Sequence, residues 1–470
     1  MNRRAFLQGL TGLAGALPRA GRAQGNRPPN IVFILADDLG WGDLGVYGHR
    51  QMQTPHLDRL AHQGTLFTQF YVNGSVCSPS RTAFTTGHYP ARHRVHGHFA
   101  ASDVNARRGM PNWLDPSVET LPRVLGKAGY ATAHFGKWHL GSGQGAPEPK
   151  AYGFDDYRTV NAAGPTWDER DPFFRARSTE LIVDETLRFA QKNRATPFYV
   201  NVWSLLPHAL LNPTKEQLDR YPRLVLGRDA PGLRSALQIY YASVTALDDA
   251  IGRLLARLDE MGLADNTLVL FSSDNGPEDI HILNASHSGV GSAGPFRGRK
   301  RSLYEGGVRL PFLARWPRHV PAKRVDKESV ATAVDFLPTL SHIAGTAPPA
   351  GWDLDGEDIS DILAGKARPR AKPIFWEWRF NIAGEVHHHS PMLSMREGDW
   401  KLLMNPDRSR VELFDIPRDP MELNSLAGGR PELVARMAPR LLAWQKTLPQ
   451  GPLDPGAGKN VYPWPGAAPP

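Results

Sequence analysis

The run Asn30-Ile31-Val32-Phe33-Ile34-Leu35-Ala36 is apolar after its first residue, and it stops at Asp37-Asp38. A continuous stretch rich in β-branched residues predicts a strand buried on both faces of a parallel sheet. The same pattern recurs. Tyr130-Ala131-Thr132-Ala133-His134-Phe135 ends at Gly136-Lys137-Trp138-His139, and Phe198-Tyr199-Val200-Asn201-Val202-Trp203 leads to Pro207-His208. Thr267-Leu268-Val269-Leu270-Phe271-Ser272 ends at Asp274-Asn275-Gly276. Helical patterns separate these runs, one opening at Thr54-Pro55 and a longer one spanning about 235 to 261. The alternation predicts an α/β chain with a doubly wound, mostly parallel central sheet. Ligands of such sheets gather beyond the carboxyl ends of the strands, where all four runs deliver polar residues.

Beyond about residue 370 the pattern shortens. Pro373–Trp378, Met392–Arg396, Trp400–Leu403 and Glu412–Asp415 predict short strands, followed by a helix over Pro431–Lys446. The expected organisation is a catalytic domain over 28–370, a smaller antiparallel α+β subdomain over 371–450, and a Pro/Gly-rich tail over 451–470.

The 470 residues contain one cysteine, Cys77, in Cys77-Ser78-Pro79-Ser80-Arg81, with Thr85-Thr86-Gly87 shortly after. A lone thiol makes no internal disulfide and no thiolate metal cage. If a helix starts near Pro79, Arg81 falls on the face of Cys77, near the helix start, a setting suited to an anion. The gap of four is too short for the phosphate loop of a cysteine phosphatase. Asp37, Asp38, Asp274 and Asn275 are hard oxygen donors at two strand ends, a set that suits Ca²⁺ or Mg²⁺ over Zn²⁺. Lys137, His139, His208 and Lys300 add cations and proton carriers for an anionic ester whose leaving oxygen gains charge.

The Cys77 pentapeptide resembles the signature of type I, formylglycine-dependent sulfatases. So do Asp37-Asp38-Leu39-Gly40-Trp41-Gly42-Asp43, Gly136-Lys137-Trp138-His139-Leu140-Gly141, Ser273-Asp274-Asn275-Gly276 and the stretch from Lys300 to Tyr304-Glu305-Gly306-Gly307, in that family's order. The resemblance runs from about residue 28 to 430, with Glu412–Asp415 and Asp419-Pro420 typical of its C-terminal part. It implies an alkaline-phosphatase-like fold and a sulfate-ester hydrolase. Asp37, Asp38, Asp274, Asn275 and the modified Cys77 would bind calcium, Arg81 would hold the formylglycine made from Cys77, and Lys137, His139, His208 and Lys300 would surround the sulfate. The implied cycle has a gem-diol oxygen attack sulfur and a second hydroxyl, deprotonated near His139, restore the aldehyde and release sulfate. Thr85 departs from the commoner leucine of the signature.

Asn2-Arg3-Arg4-Ala5-Phe6-Leu7, a mildly apolar stretch and Ala20-Gly21-Arg22-Ala23 read as a twin-arginine signal over 1–23, making the protein periplasmic or secreted. The expected partners are a sulfated small molecule or glycan, a cytoplasmic maturation enzyme and the twin-arginine export machinery. The net charge of +8 is spread along the chain, so neither nucleic acid nor a stable membrane anchor is expected. His93, His96, His98 and the run His387–His389 read as loop residues. Competing readings are a phosphate or phosphonate monoesterase of the same superfamily and a non-catalytic sulfated-glycan-binding protein.

Overall fold

The computed structural model describes residues 27–222 and 231–460. The signal-like residues 1–23 and the tail beyond 460 lie outside the described residues. Thirteen strands form two sheets: β1 (Asn30–Ala36), β2 (Thr65–Tyr71), β3 (Ala131–Lys137), β4 (Asp156–Val160), β5 (Phe198–Trp203), β6 (Thr267–Ser273), β7 (Arg309–Arg315), β8 (Arg324–Asp326), β9 (Ala331–Thr332), β10 (Ile374–Glu377), β11 (Leu393–Glu397), β12 (Trp400–Met404) and β13 (Glu412–Asp415). The larger sheet runs β4-β3-β5-β1-β6-β7-β2-β8, with β9 also on β2. Only β7 runs against its neighbours, so the sheet is mostly parallel as expected.

The apolar runs became strands because both faces of the sheet are covered. On β1, Ile31, Phe33 and Leu35 enter one hydrophobic cluster, and Val32, Ile34 and Ala36 enter the other. The helices Phe174–Lys192 and Pro231–Glu260 cover the second face. The first cluster continues without a break into the four-stranded antiparallel sheet β10-β11-β12-β13, through Trp376, Leu393, Met395 and Leu402. That sheet and the helix Pro431–Lys446 match the architecture expected of the C-terminal part.

Strands β2, β4, β7, β8 and β9 were not anticipated. In β7 the obstacle is Pro311, which has no N–H for a central ladder. The pairing with β2 shifts register between Phe67 and Phe70, opposite the proline, so the missing donor falls at an irregularity where no ladder bond is needed. Arg309 Nε donates to Thr68 O at 2.7 Å, satisfying a carbonyl in that irregular stretch.

A buried ion network ties the two sheets together. Lys401 Nζ lies 2.9 Å from Glu305 Oε1 and 2.9 Å from Glu422 Oε1, all three side chains fully buried. Glu305 Oε2 also accepts from Tyr71 OH at 2.7 Å, and Glu422 Oε2 accepts from Glu305 N at 2.6 Å. Replacing Lys401 with Met leaves Glu305 with Arg309 alone at 3.2 Å and leaves the buried Glu422 carboxylate without its cation beside it. We expect denaturant unfolding of Lys401→Met to show a loss of about 3–5 kcal/mol.

Candidate active site

Parallel register sets the site. Ala36 at the end of β1 is level with Ser273 at the end of β6, so Asp37-Asp38 emerge beside Asp274-Asn275. Leu35 is level with Trp203 of β5, which carries the chain on to His208, and Gly136 is level with the same Trp203, which brings Lys137 alongside. Gly136 adopts φ 112°, and a Cβ there would lie 1.9 Å from Trp203 O, so only glycine lets β3 reach this register. The chain turns sharply after β1, with Asp38 at φ 64° and its N–H on Asp274 Oδ1 at 3.1 Å.

Facing these ends is the helix Cys77–Thr86, which begins at Cys77 and is buried along its whole length. Ser80 Oγ donates to Gly74 O at 2.7 Å, Ser78 Oγ accepts from Phe99 N at 3.1 Å, and Gly87 at φ 69° ends the helix. Thr85, the departure from the signature, donates its hydroxyl to Arg81 O at 2.8 Å, so it is satisfied within the helix. Cys77 Sγ lies 3.6 Å from Asp37 Oδ1, 3.9 Å from Asp38 Oδ1 and 3.5 Å from Lys137 Nζ. Burial, then the Asp274 charge, pushes its thiol well up.

Side-chain cations offset the clustered carboxylates. Arg81 donates from Nε and Nη2 to Asp274 Oδ2 at 3.1 and 2.7 Å, and its Nη2 lies 3.6 Å from Asp37 Oδ1. Lys137 Nζ sits 2.7 Å from Asp37 Oδ2, and Lys300 Nζ sits 2.6 Å from Asp38 Oδ2. Burial pushes the Asp37 carboxyl up, but Lys137, His208, Arg81 and Lys300 outweigh it and hold the group well below the usual range. Burial and then repulsion from Asp37 push Asp274 up to about 6. Burial opposes the Lys300 charge, yet Asp38, Cys77 and Glu278 together raise its pKa.

The two histidines stand differently. His139, at φ 52°, donates through Nε2 to Phe99 O at 3.1 Å, leaving its buried Nδ1 without a partner. Burial, Lys137 and Arg81 hold it well below the ordinary imidazole range. His208 donates through Nδ1 to Ala209 O at 2.7 Å, so Nε2 faces Asp38 Oδ2 at 3.7 Å. Burial and Lys137 lower its pKa to about 4.

All ten residues named from the sequence therefore converge on one strand edge, with Asn275 Nδ2 on Asp38 Oδ1 at 2.6 Å. Three further residues belong with them. Glu278 Oε2 lies 3.5 Å from Lys300 Nζ, and Glu278 is gripped by both ends of the Arg301 guanidinium at 2.5 and 3.0 Å. Arg301 N in turn donates to Ser75 O at 2.8 Å, which ties the lysine loop to the Cys77 segment. The imidazole of His98 stands 6.2 Å from that of His139. The adjacency Lys300-Arg301 and the acid three positions past Asn275 were the available signals; side-chain direction was not. His93 instead stacks on His88, which lies between it and Trp352, and buried His96 lies 3.4 Å from Glu377. In the run His387–His389, His388 Nδ1 accepts from Gly298 N at 3.2 Å.

The donors fit a divalent ion. Asp37, Asp38, Cys77 and His208 each offer an atom within 4.8 Å of the others. Asn275 Oδ1 is buried with no hydrogen-bond partner, a free hard oxygen beside three carboxylates.

Comparison with known proteins agrees with this geometry. The family model described as Sulfatase matches residues 29–346, and that described as N-sulphoglucosamine sulphohydrolase, C-terminal, matches 294–447. The rat N-acetylgalactosamine-6-sulfatase is 35% identical over 386 residues, covering 74% of this chain and 68% of its own length. Human arylsulfatase A is 35% identical over 474 residues, covering 90% and 87%. The crystal structure of Ps i-CgsB in complex with k-i-k-neocarrahexaose superimposes with a TM-score of 0.76 at 26% identity, covering 90% of this chain and 94% of that one.

One supporting residue carries a pH signature. His134 donates through Nε2 to Lys137 O at 3.2 Å and accepts at Nδ1 from Asn201 at 3.2 Å, so the neutral imidazole is satisfied on both sides. Burial and then Arg81 lower its pKa to about 3. The unfolded imidazole takes its proton near pH 6.5 and the folded one does not, so the unfolded state binds more protons between those values. Stability therefore falls as the pH drops below about 6.5. From this residue the loss between pH 7.5 and 5.5 is up to about 1.4 kcal/mol, and urea titrations of His134→Gln should show that part of the pH slope removed.

Proposed function

Because the chain belongs to the sulfatase family, we infer that it hydrolyses sulfate esters with a formylglycine made from Cys77 and a bound calcium ion, acting on sulfated carbohydrates. The observation that carries this reading is the place of Cys77 Sγ, between Asp37, Asp38 and Lys137 at the meeting point of the strand ends. Formylglycine at this position would supply a hydrated aldehyde as the oxygen nucleophile. Asp37, Asp38, Asp274 and Asn275 would hold the calcium, whose charge would draw electron density from the sulfonate oxygens.

The chain's own groups divide the remaining work. Lys137 and Lys300 stand on opposite carboxylates, so their ammonium groups flank the space where an anionic ester must sit. His208 has its Nδ1 proton committed to Ala209, which leaves Nε2 as the only atom able to hand a proton to the departing alcohol. A sulfate arriving opposite Nε2 favours the protonated ring there. His139 keeps an unpartnered Nδ1 lone pair, the atom suited to take a proton when the residue-77 group is restored. Arg81 fixes the geometry by gripping Asp274 and the Lys137 carbonyl at once.

Two features support an exported carbohydrate enzyme: the twin-arginine reading of residues 1–23, and the likeness to an N-acetylgalactosamine-6-sulfatase and to a structure solved with k-i-k-neocarrahexaose. Among the described residues no helix is long and apolar enough to cross a membrane.

Matured protein should release sulfate from sulfated mono- or oligosaccharides, with Cys77→Ala inactive and an aryl phosphate hydrolysed at least 100-fold more slowly than an aryl sulfate. Peptide mass analysis should find the residue-77 aldehyde. A residue-77 thiol in active protein would overturn the nucleophile, and faster phosphate hydrolysis would favour the monoesterase. Chelation should lower the melting temperature, and calcium at about 100 times its Kd should restore about 2.7 kcal/mol, a gain that Asp274→Asn abolishes.

A further inference from the structure

Five cations belong to this region: Arg81, Lys137, Lys300 and Arg301 pair with Asp37, Asp38, Asp274 and Glu278, and Arg108 stands at the outer edge beside the His98 carbonyl. Four of the cations are paired with a carboxylate at 3.6 Å or less. Arg108 is not. Among the described residues no carboxylate lies in ion-pair distance of it, and its one side-chain hydrogen bond goes from Nη1 to the His98 carbonyl at 3.3 Å.

The position of Arg108 is set by the chain. It caps the helix Ser102–Arg107, and its guanidinium carbon lies 5.2 Å from the centre of the Phe380 ring. Phe380 belongs to the segment after β10, is packed edge-on against Trp378 at 5.3 Å, and its ring lies against Gly97, next to His98. A planar guanidinium held against an aromatic face retains its donors for a ligand while losing little freedom. Through His98, 6.2 Å from His139, this arginine adjoins the catalytic histidine.

The charges that bear on Arg108 deepen the anomaly. Burial is the main influence lowering its pKa, and the next are Arg301 and Arg107, both positive. Arg175 on the far side makes a useful contrast. It too lacks a paired carboxylate and donates to Leu205 O at 3.2 Å, but the charges that bear on it are Asp37, Glu169 and Asp38. The surplus at Arg175 is therefore met by nearby carboxylates, while that at Arg108 is met by none among the described residues.

A half-buried guanidinium surrounded by cations is held at a cost unless a ligand supplies the anion. We propose that Arg108, seated on Phe380 beside His98, is a specificity residue that binds a second anionic group, a sulfate or carboxylate, on the same sulfated sugar whose ester is cleaved. The substrate class is then a polyanionic glycan bearing a second negative charge within a sugar's reach of the scissile sulfate. This rests on the sulfate-ester reading above. The alternative in which Arg108 merely braces the loop predicts equal losses on every substrate.

The test compares matched substrates: a disulfated disaccharide, its monosulfated counterpart retaining the scissile ester, and an aryl sulfate. For Arg108→Gln the ratio of kcat/KM, disulfated over monosulfated, should fall about 10- to 100-fold, mostly through KM, with a weaker salt dependence on the disulfated substrate. Arg108→Lys should recover part of that ratio. Arg107→Gln, an exposed neighbour paired with Asp103, should leave it unchanged. Equal losses on both sugars, or no change in the ratio, would overturn the proposal while leaving the sulfatase reading intact. If the wild type releases sulfate from no ester, that reading fails instead. Calorimetry on Cys77→Ala with the same two sugars then decides: tighter binding of the disulfated sugar that depends on Arg108 upholds the subsite, and equal binding sinks it.

Discussion

Everything at this strand edge depends on one electrostatic problem. Three carboxylates emerge side by side from β1 and β6, and the register that makes the sheet leaves them no room to separate. Arg81 solves part of it from a helix that is otherwise featureless in charge, forking onto Asp274 and reaching Asp37. Its remaining amino group holds the Lys137 carbonyl, so the residue that neutralises one acid also positions the cation that neutralises the next. Burial multiplies each of these interactions, because charges removed from water must find partners among themselves. The helix Cys77–Thr86 is buried in full for the same reason: its first residue and its arginine must both reach the cluster.

The second sheet serves that arrangement at a distance. Lys300 and Arg301 lie on a loop with no regular structure of its own, and the loop is fixed at both ends. Arg301 is tied to Ser75 and Lys300 to the Pro277 carbonyl, while Glu305 at the far end enters the buried network of Lys401 and Glu422. Gly276 closes the remaining gap, since a Cβ there would meet Gly306 O at 2.0 Å. An antiparallel sheet that shares the main core therefore sets where a lysine falls in front of Asp38.

What could be read from the sequence was whatever depends on local pattern. β1, β3, β5 and β6 were legible because each is a near-continuous apolar run closed by a polar break, and parallel register then brings the breaks together. β2 and β7 were not. Thr68 and Gln69 interrupt the apolar pattern of β2, and Pro311 argues against β7; both strands exist because the core and the Arg309 side chain supply what the pattern lacks. Site chemistry followed the same division. Asp37, Asp38, Asp274 and Lys137 announce themselves at strand ends, while Glu278, Arg301 and His98 gain meaning only through contacts between segments far apart in the chain. The side-chain cations that offset the acids arrive from three different segments, so their pairing too shows only in the fold.

The burial of Cys77 also constrains the order of events in making the enzyme. The residue is 2% exposed, its helix offers no exposed side chain, and Phe99, Gly74 and Arg301 close over its start. A thiol enclosed in this way offers a modifying enzyme no access in the folded chain. Opening it would expose Arg81, Asp37 and Asp274 together, dismantling the ion cluster along with the helix. The oxidation required by the formylglycine reading therefore has to precede folding.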